Sequence, residues 1–353
     1  MISYTKYFIK SLIFVLCVGM IISCSSTKDT INEPEFQPLE DVEPFSQNEK
    51  LGRGINLGNA LEAAIEGDWG VTLEESYFKV ISDAGFNSVR IPIKWSAHAE
   101  VDSPFTIEES FFARIDWAIL TAFKYNLAVI INIHHYEEMM LDPETEKTRL
   151  FALWQQIADH YQKYSHDLFF EVLNEPNDQL TPTLWNGILK EAVSVIRLTN
   201  PGRTILIGTA NWGGLGGLNA LSLPADDNII VTYHYYNPFE FTHQGAEWVD
   251  GSESNLGTKW SNTPQERQAV INDFDAAIEW AFQKNVPLNM GEFGAYWKAD
   301  NDSRALWTAM TSQYARLKGI SFHYWEFCSG FGIYDVTESK FNEELLNSLL
   351  PSN

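Results

Sequence analysis

Positive charge is scarce in this chain of 353 residues, which has 24 Lys and Arg residues against 47 Asp and Glu residues and a net charge of −23. A nucleic-acid partner requires a basic surface that neutralises phosphates, and the sequence contains no basic stripe of that kind. We therefore expect no nucleic-acid partner. The acidic excess instead predicts a well-solvated surface and a neutral ligand.

Cysteine is also rare, and its three positions are Cys17, Cys24 and Cys328. Cys17 lies in an apolar N-terminal segment, and Cys24 follows the end of that segment. Only Cys328 remains for the rest of the chain, so we expect no internal disulfide in the folded domain. The stability of that domain must then come from its core, and about 300 residues are enough to bury a large one.

The apolar run at residues 11–22 is too short for a comfortable membrane span. It follows Lys6 and Lys10, a pattern typical of a secretory signal. The run ends in Ile21-Ile-Ser-Cys24, which resembles a bacterial lipobox. We therefore predict a lipoprotein signal peptide over residues 1–23, lipidation of Cys24, and an exported protein anchored to the cell envelope, at the outer membrane or the cell surface. The alternative is an ordinary signal peptide followed by an incidental cysteine.

Residues 24–50 are polar, acidic and proline-bearing, with little periodicity. Such composition predicts a disordered tether that begins at the lipidated Cys24. Residues 51–353 are then expected to form a single domain, and we expect a monomer.

Eight short apolar runs alternate with amphipathic helical stretches from residue 54 onward, and this alternation predicts a (β/α)8 barrel. Two Thr-Pro pairs, Thr181-Pro182 and Thr263-Pro264, predict helix starts, as do capping-box patterns that begin at Thr72 and Thr106. A doubly wound open sheet is the alternative fold, but the glycines near residue 214 lack the spacing of a phosphate loop. The runs are 54–57, 88–91, 128–133, 168–173, 204–208, 229–233, 286–290 and 320–325.

Polar side chains lie at or near the ends of seven of these eight runs, where a barrel would gather its chemistry at the carboxyl edge of the sheet. The fourth run illustrates the pattern, because an apolar stretch ends abruptly in Asn174, Glu175 and Pro176. The full set is Asn59, Glu62, Arg90, His134, His135, Tyr136, Asn174, Glu175, His234, Tyr236, Glu292, Trp325 and Glu326.

Glu175 and Glu292 stand out as a carboxylate pair at the ends of the fourth and seventh runs. Glycoside hydrolysis needs one protonated carboxyl for the leaving oxygen and one ionised carboxylate for C1 or for water. We expect Arg90 and Tyr236 to lower the pKa of Glu292 and keep it ionised. The many aromatic residues (12 Trp, 14 Tyr, 22 Phe) also suit sugar binding, because flat rings stack on pyranose faces.

Two further residues fit the same chemistry. His234 is expected to lie near Glu175 and tune its proton, and Asn174 is placed to bind the sugar 2-hydroxyl.

Two other functions remain open from the residues alone. His134, His135 and His234 are candidate zinc ligands of an amidohydrolase-type barrel, but adjacent strand residues point to opposite faces and no early His-x-His is present. We expect neither a metal nor another cofactor. The other alternative is a lipid-anchored, non-catalytic glycan-binding protein, which would have no need for both glutamates.

The sequence closely resembles glycoside hydrolase family five, the cellulase family, over nearly all of residues 52–350. It is most similar to a bacterial endoglucanase subgroup with some dual glucanase and mannanase members, through the stretch from Asn237 to Trp248. The other motifs are Gly54-Ile-Asn-Leu-Gly-Asn59 with Leu61-Glu62, Val89-Arg90-Ile-Pro92, Ile133-His134-His135-Tyr136, Leu173-Asn174-Glu175-Pro176, His234-Tyr-Tyr236, Gly291-Glu292-Phe293-Gly294 and Tyr324-Trp325-Glu326-Phe327.

The resemblance implies a retaining endo-β-1,4-glucanase that acts on cellulose-type and mixed-linkage glucans, with secondary action on glucomannan, mannan or xyloglucan. It implies that Glu175 is the acid/base and Glu292 the nucleophile. The other active-site positions that it implies are Arg90, His134, Asn174, His234, Tyr236 and Trp325. The substrate contacts that it implies are Asn59, Glu62, His135, His243 and Trp248.

Overall fold

Parallel strands form a closed barrel in the computed structural model, which describes residues 42–351. The barrel strands are β1 Arg53–Asn56, β2 Ser88–Ile91, β3 Ala128–Asn132, β4 Leu168–Glu171, β5 Ile205–Gly208, β6 Ile229–His234, β7 Leu288–Glu292 and β8 Ser321–Tyr324. Each strand pairs with the next in chain order, and β1 pairs with β8 to close the ring. The predicted barrel is confirmed, and the open-sheet alternative is wrong. The first and last residue of each strand lie within two residues of the predicted bounds.

Helices alternate with these strands. They are α1 Pro44–Leu51, α2 Glu75–Ala84, α3 Glu109–Lys124, α4 Glu137–Leu141, α5 Pro143–Tyr161, α6 Pro182–Arg197, α7 Phe239–Thr242, α8 Pro264–Lys284, α9 Asn301–Leu317 and α10 Glu343–Leu349. A small hairpin, β9 Tyr334–Asp335 with β10 Lys340–Phe341, follows the last barrel strand. After β5 the connection contains a short 3₁₀ turn in place of a regular α-helix.

The barrel strands are buried on both faces, which explains why they appear in the sequence as continuous apolar runs. In β3, Val129 and Ile131 belong to the large core shared with the helices, whereas Ala128 and Ile130 belong to the cluster inside the barrel. This alternation is the two-residue period of a strand.

Helix α1 corrects the predicted tether, because residues 44–50 are helical and belong to the folded domain. Leu51, at the end of α1, is fully buried in the cluster inside the barrel. Asn48 is also buried, and its amide oxygen accepts a hydrogen bond of 2.6 Å from the Ser321 hydroxyl. Tertiary contacts of this kind fix a short helix that has little apolar periodicity of its own. The rest of the predicted tether up to residue 41, the signal segment and Cys24 lie outside the described residues.

The predicted helix starts divide into two groups. Thr181 and Thr263 are N-caps, and Thr263 forms a complete capping box with Glu266. The capping boxes predicted at Thr72 and Thr106 are wrong, since α2 and α3 begin only at residues 75 and 109. After Thr106, the backbone of Ile107 is extended and forms an antiparallel β-bridge with Ala99, so the helix begins only beyond it.

Within residues 42–351, no helix has both the length and the apolar character that a membrane crossing requires. These residues all fall in one compact unit. The carboxyl ends of the barrel strands meet at one edge, which in barrels of this kind carries the active site.

Candidate active site

Arg90 lies on β2 and is completely buried at the centre of a polar network. Its guanidinium donates to Glu292 Oε1 at 2.7 Å and to Asn174 Oδ1 at 2.8 Å. It also donates to Asn56 Oδ1 at 2.9 Å, and it binds both oxygens of Glu171, at 2.6 and 2.7 Å. One cation therefore connects side chains from β1, β7, β4 and the residues just after β4.

Glu292 ends β7 and is buried among donors. The Tyr236 hydroxyl donates to Glu292 Oε2 at 3.0 Å, and His134 Nε2 lies 3.9 Å from Oε1. Burial raises the pKa of the Glu292 carboxyl, while His234 and Arg90 act in the opposite direction. The expectation of a lowered pKa is therefore wrong, because burial outweighs the attraction of the cation.

Glu175 follows β4 and is paired with His234 at the end of β6. His234 Nδ1 lies 2.6 Å from Glu175 Oε1 and 3.6 Å from Glu292 Oε2. Burial lowers the pKa of His234, but the neighbouring carboxylates Glu292 and Glu175 outweigh this effect, and the pKa is raised. Gly213 is in the left-handed region and packs against this pair, where a Cβ would lie 3.3 Å from His234 Cγ.

The two carboxyl groups are close together. One oxygen of Glu175, one oxygen of Glu292 and a ring nitrogen of His234 all lie within 4.8 Å of one another. Glu175 keeps 24% of its side chain exposed, whereas Glu292 keeps 6%. Both carboxyls line the cleft, and Glu175 is the more exposed of the two.

These groups lie in a cleft with a volume of about 1070 Å³. Trp325 forms part of its lining and stacks on the His134 ring, with 5.7 Å between ring centres and 8° between planes. Gly58 allows this position, because a Cβ there would lie 3.0 Å from the Trp325 ring. The predicted positions Asn59, His135, His243 and Trp248 also line the cleft.

The aromatic part of the lining is partly open to solvent. Trp248, Trp212 and Trp69 are 61%, 61% and 46% exposed, and all three line the cleft. His135 contacts the Trp69 ring edge-on at 5.5 Å, and His243 stacks on Phe239 at 4.1 Å. Exposed rings at a cleft wall offer flat apolar platforms to a ligand.

Glu62 lines the cleft, but both of its oxygens accept backbone N–H groups, from Asn59 and Ala60. Burial raises the pKa of Glu62 to about 8. Glu326 has a similar environment, since it accepts N–H groups of the following loop, including that of Phe331 at 3.2 Å, and burial raises its pKa to about 7. Both carboxyls hold loops that form the cleft.

The three histidines of the zinc alternative do not form a group of metal ligands among the described residues. His134 and His135 both follow β3, which ends at Asn132, so the argument from opposite strand faces does not apply to them. The described residues do bring one group of possible metal ligands together, but it consists of Glu175, His234 and Glu292. Arg90 is already bound to Glu292 in that group, and a metal cation there would meet its positive charge.

Sequence reasoning missed several residues of this site, namely Asn56, Glu171, Trp69 and Trp212. Glu171 had a signal, because it is the one charged residue of strand β4. Asn56 ends β1 and donates to the Gly291 carbonyl at 3.0 Å. Trp69 and Trp212 lie in irregular loops, where the sequence gives no indication of direction. A carboxylate pair of this spacing at the carboxyl edge of a barrel is the arrangement of a glycoside hydrolase.

The chain belongs to the cellulase family, glycosyl hydrolase family 5, whose family model matches residues 51–330. Endoglucanase H from Acetivibrio thermocellus is 32% identical over 326 residues, which cover 91% of this chain and 35% of that protein. The chain thus spans about a third of that relative's length, and 50% and 38% of the next two. Endoglucanase A from Ruminococcus albus is 29% identical over 339 residues, covering 84% of this chain and 89% of the relative.

Solved structures are similar throughout the barrel. Cel5A from Thermotoga maritima, solved in complex with mannotriose, is 53% identical with a TM-score of 0.86, covering 87% of this chain and 100% of that one. A hyperthermophilic endo-β-1,4-glucanase in complex with substrate is 45% identical with a TM-score of 0.87, covering 88% and 100%.

Proposed function

We propose that the protein is a retaining endo-β-1,4-glucanase, with secondary action on mannan-type chains or xyloglucan. The observation that carries the mechanism is the separation of at most 4.8 Å between one oxygen of Glu175 and one of Glu292. Retaining enzymes place these carboxyl groups about 5–5.5 Å apart, whereas inverting enzymes need about 6.5–9.5 Å to admit a water.

In the first step, the Glu292 carboxylate attacks C1 of the sugar while Glu175 gives its proton to the departing glycosidic oxygen. The bond from C1 to that oxygen breaks as the bond from C1 to Glu292 forms. In the second step, Glu175 takes a proton from water, the water oxygen binds C1, and Glu292 leaves. Donors from Arg90 and Tyr236 stabilise Glu292 each time it becomes ionised.

The shape and lining of the cleft support endo action. A long chain must enter at any point along its length, and the exposed rings of Trp69, Trp212 and Trp248 give it an open path. We expect Trp325 to stack under the sugar whose bond is cut. Endoglucanases among the relatives support a β-1,4-glucan substrate.

Action on mannans is supported by the similarity to a structure that was solved with mannotriose. Glucose and mannose differ in the orientation of the 2-hydroxyl, and stacking depends on ring shape more than on this group. Asn174 is the side chain expected to read that hydroxyl. We expect discrimination of about 1–3 kcal/mol in transition-state binding, because an open, hydrated cleft leaves few buried polar groups unpaired.

Viscometry of carboxymethylcellulose tests the endo assignment. Viscosity should fall well ahead of the release of reducing ends, and sugar release without loss of viscosity would refute endo cleavage. Product analysis on glucan, mixed-linkage glucan, glucomannan, mannan and xyloglucan tests the specificity. If mannan is hydrolysed no faster with the protein than in buffer alone, the proposed mannanase activity is refuted and the glucanase assignment still stands.

The sequence motif at Cys24 supports export and a lipid anchor. The polysaccharide substrate is the main partner that we propose. The alternative of a non-catalytic glycan-binding protein does not explain why Arg90, Tyr236 and His234 all bind the carboxylate pair. Full activity of a Glu175→Gln, Glu292→Gln double variant would overturn the catalytic assignment, and an inactive parent on every glycan would favour the binding protein.

A further inference from the structure

Each of the five N–H donors of the Arg90 guanidinium has its own acceptor oxygen, so the orientation of the guanidinium is fully determined. Nε–H and one Nη2–H bind the two oxygens of Glu171, at 2.6 and 2.7 Å. The second Nη2–H binds Asn174 Oδ1, and the two Nη1–H groups bind Asn56 Oδ1 and Glu292 Oε1. Of the four residues that accept from Arg90, only Glu171 accepts two of the N–H groups.

The two-point contact with Glu171 determines where the remaining donors point. The guanidinium is planar, so a carboxylate that holds its Nε and Nη2 edge leaves the other N–H groups with fixed directions. Both side chains are fully buried, and the Asn132 amide also reaches Glu171, at 3.5 Å. Arg90 therefore reaches the nucleophile Glu292 and the carboxamide of Asn174 from a rigid support on β4.

The Arg90 contact also orients Asn174. Its Oδ1 accepts from Arg90, so its Nδ2 must point elsewhere and is free to donate to a sugar hydroxyl. A movement of Arg90 would therefore disturb both the nucleophile and the residue expected to bind the 2-hydroxyl.

Glu171 also changes the charge that Glu292 experiences. One cation is shared by two buried carboxylates, and the stronger, two-point contact belongs to Glu171. Because Glu171 compensates much of the charge of Arg90, Arg90 attracts the Glu292 carboxylate less strongly. This sharing agrees with the finding that burial, and not Arg90, decides the direction of the Glu292 pKa.

We propose that Glu171 is a positioning residue for the reaction, and this inference rests on the proposed function. It aims the Arg90 donors at Glu292 and Asn174, and it compensates the Arg90 charge so that Glu292 remains a good nucleophile. The other charged or titratable groups that face Glu292 are His134, Glu175, His234 and Tyr236.

The test uses a substrate with an activated leaving group, 2,4-dinitrophenyl β-cellobioside. Glu292 binds C1 as the dinitrophenolate departs with the bonding electrons, so no proton from Glu175 is needed and the acid limb of kcat/KM follows the ionisation of Glu292 within its network. In Glu171→Gln, Arg90 would be uncompensated and would favour the ionised form of Glu292. We expect the acid limb to move to lower pH by about one unit, with kcat/KM reduced on the order of 100-fold.

Glu171→Asp keeps the charge but has a shorter reach, so the two-point contact is lost. We expect its kcat/KM to fall about tenfold or more while the acid limb stays in place. Asp226→Asn is the matched control, because Arg197 binds both oxygens of Asp226, at 2.6 and 2.8 Å, outside the cleft. We expect this control to keep both the rate and the pH profile of the parent.

The outcomes are distinguishable. An inactive parent would overturn the proposed function and this inference with it. An active parent whose folded Glu171→Gln variant keeps the parental acid limb, or moves it upward, would overturn this inference alone. If circular dichroism shows that Glu171→Gln does not fold, a parental rate in Glu171→Asp overturns the positioning role and a reduced rate with an unshifted acid limb supports it.

Discussion

The Nδ1 atom of His234 lies 2.6 Å from the Oε1 atom of Glu175. The imidazole is buried, whereas the carboxyl faces the cleft. Glu175, which must give and then recover a proton, thus has the titratable His234 at hydrogen-bond distance. This pair suits a carboxyl that alternates between acid and base.

We predict that His234→Asn will impair proton transfer more than nucleophilic attack. On an unactivated aryl cellobioside, kcat/KM should fall about 10²–10³-fold, because the leaving oxygen needs the Glu175 proton. On 2,4-dinitrophenyl β-cellobioside the loss should be much smaller. His160→Asn is a matched control, since His160 pairs with Asp116 at 2.9 Å on the helical exterior. Equal losses on both substrates would contradict the assigned role.

Azide should distinguish the two carboxylates. Glu175→Ala should retain its first step on activated aryl glycosides, and azide should restore turnover with a β-configured product, since the site of the acid/base then admits the anion. Glu292→Ala should lose both steps and, when rescued, give the α-azide. Proton NMR of the anomeric signal identifies each product. The reverse pattern would exchange the two roles.

Buried carboxyls should make the protein less stable as the pH rises from about 6.5 to about 8. Burial raises the pKa of Glu62 to about 8 and that of Glu326 to about 7, above the values of an unfolded chain. The folded state therefore binds these protons more tightly, and the stability they contribute is lost as the pH rises through the folded pKa values. The slope is at most about 1.4 kcal/mol per pH unit for each proton.

The lower limit of that window is set by histidines. Burial lowers the pKa of His134, His243 and His323, so these residues act in the opposite direction below about pH 6.5. Urea unfolding followed by tryptophan fluorescence should show a flatter pH dependence for Glu62→Gln. The exposed Glu191→Gln should keep the parental slope, and an unchanged slope in Glu62→Gln would contradict the prediction.

Trp248 should bind long substrates without taking part in the chemistry. Its ring is 61% exposed at the cleft wall. Loss of one stacked ring face in Trp248→Ala should raise KM for long cello-oligosaccharides about tenfold, which corresponds to ~1.4 kcal/mol, with little change in kcat. Phe282→Ala is the control, because that side chain is 81% exposed on α8 and does not line the cleft. A drop in kcat with unchanged KM would argue against a binding platform.

Cys24 should anchor the exported protein to a membrane. Fractionation of cells that express the parent should place it with membranes, whereas Cys24→Ser should be released. The reason is that a lipobox directs lipid to the cysteine that follows it. A parent that is already fully soluble after export would disprove the anchor.

The alternation of apolar runs and helical stretches was enough to predict the barrel, because each strand is buried on both faces and stands out against its amphipathic neighbours. Polar residues at the ends of those runs identified Glu175, Glu292 and their partners Arg90 and His234. Local chemistry also predicted the N-caps at Thr181 and Thr263.

Tertiary structure alone decided the rest. Helix α1 is held by burial of Leu51 and by the contact between Asn48 and Ser321, none of which leaves a periodic signal. Glu171 shares the charge of Arg90 only because β4 and β2 place both side chains inside the barrel. The pKa of Glu292 is raised because burial outweighs the opposing effect of Arg90, and this balance depends on distances between strands far apart in the sequence.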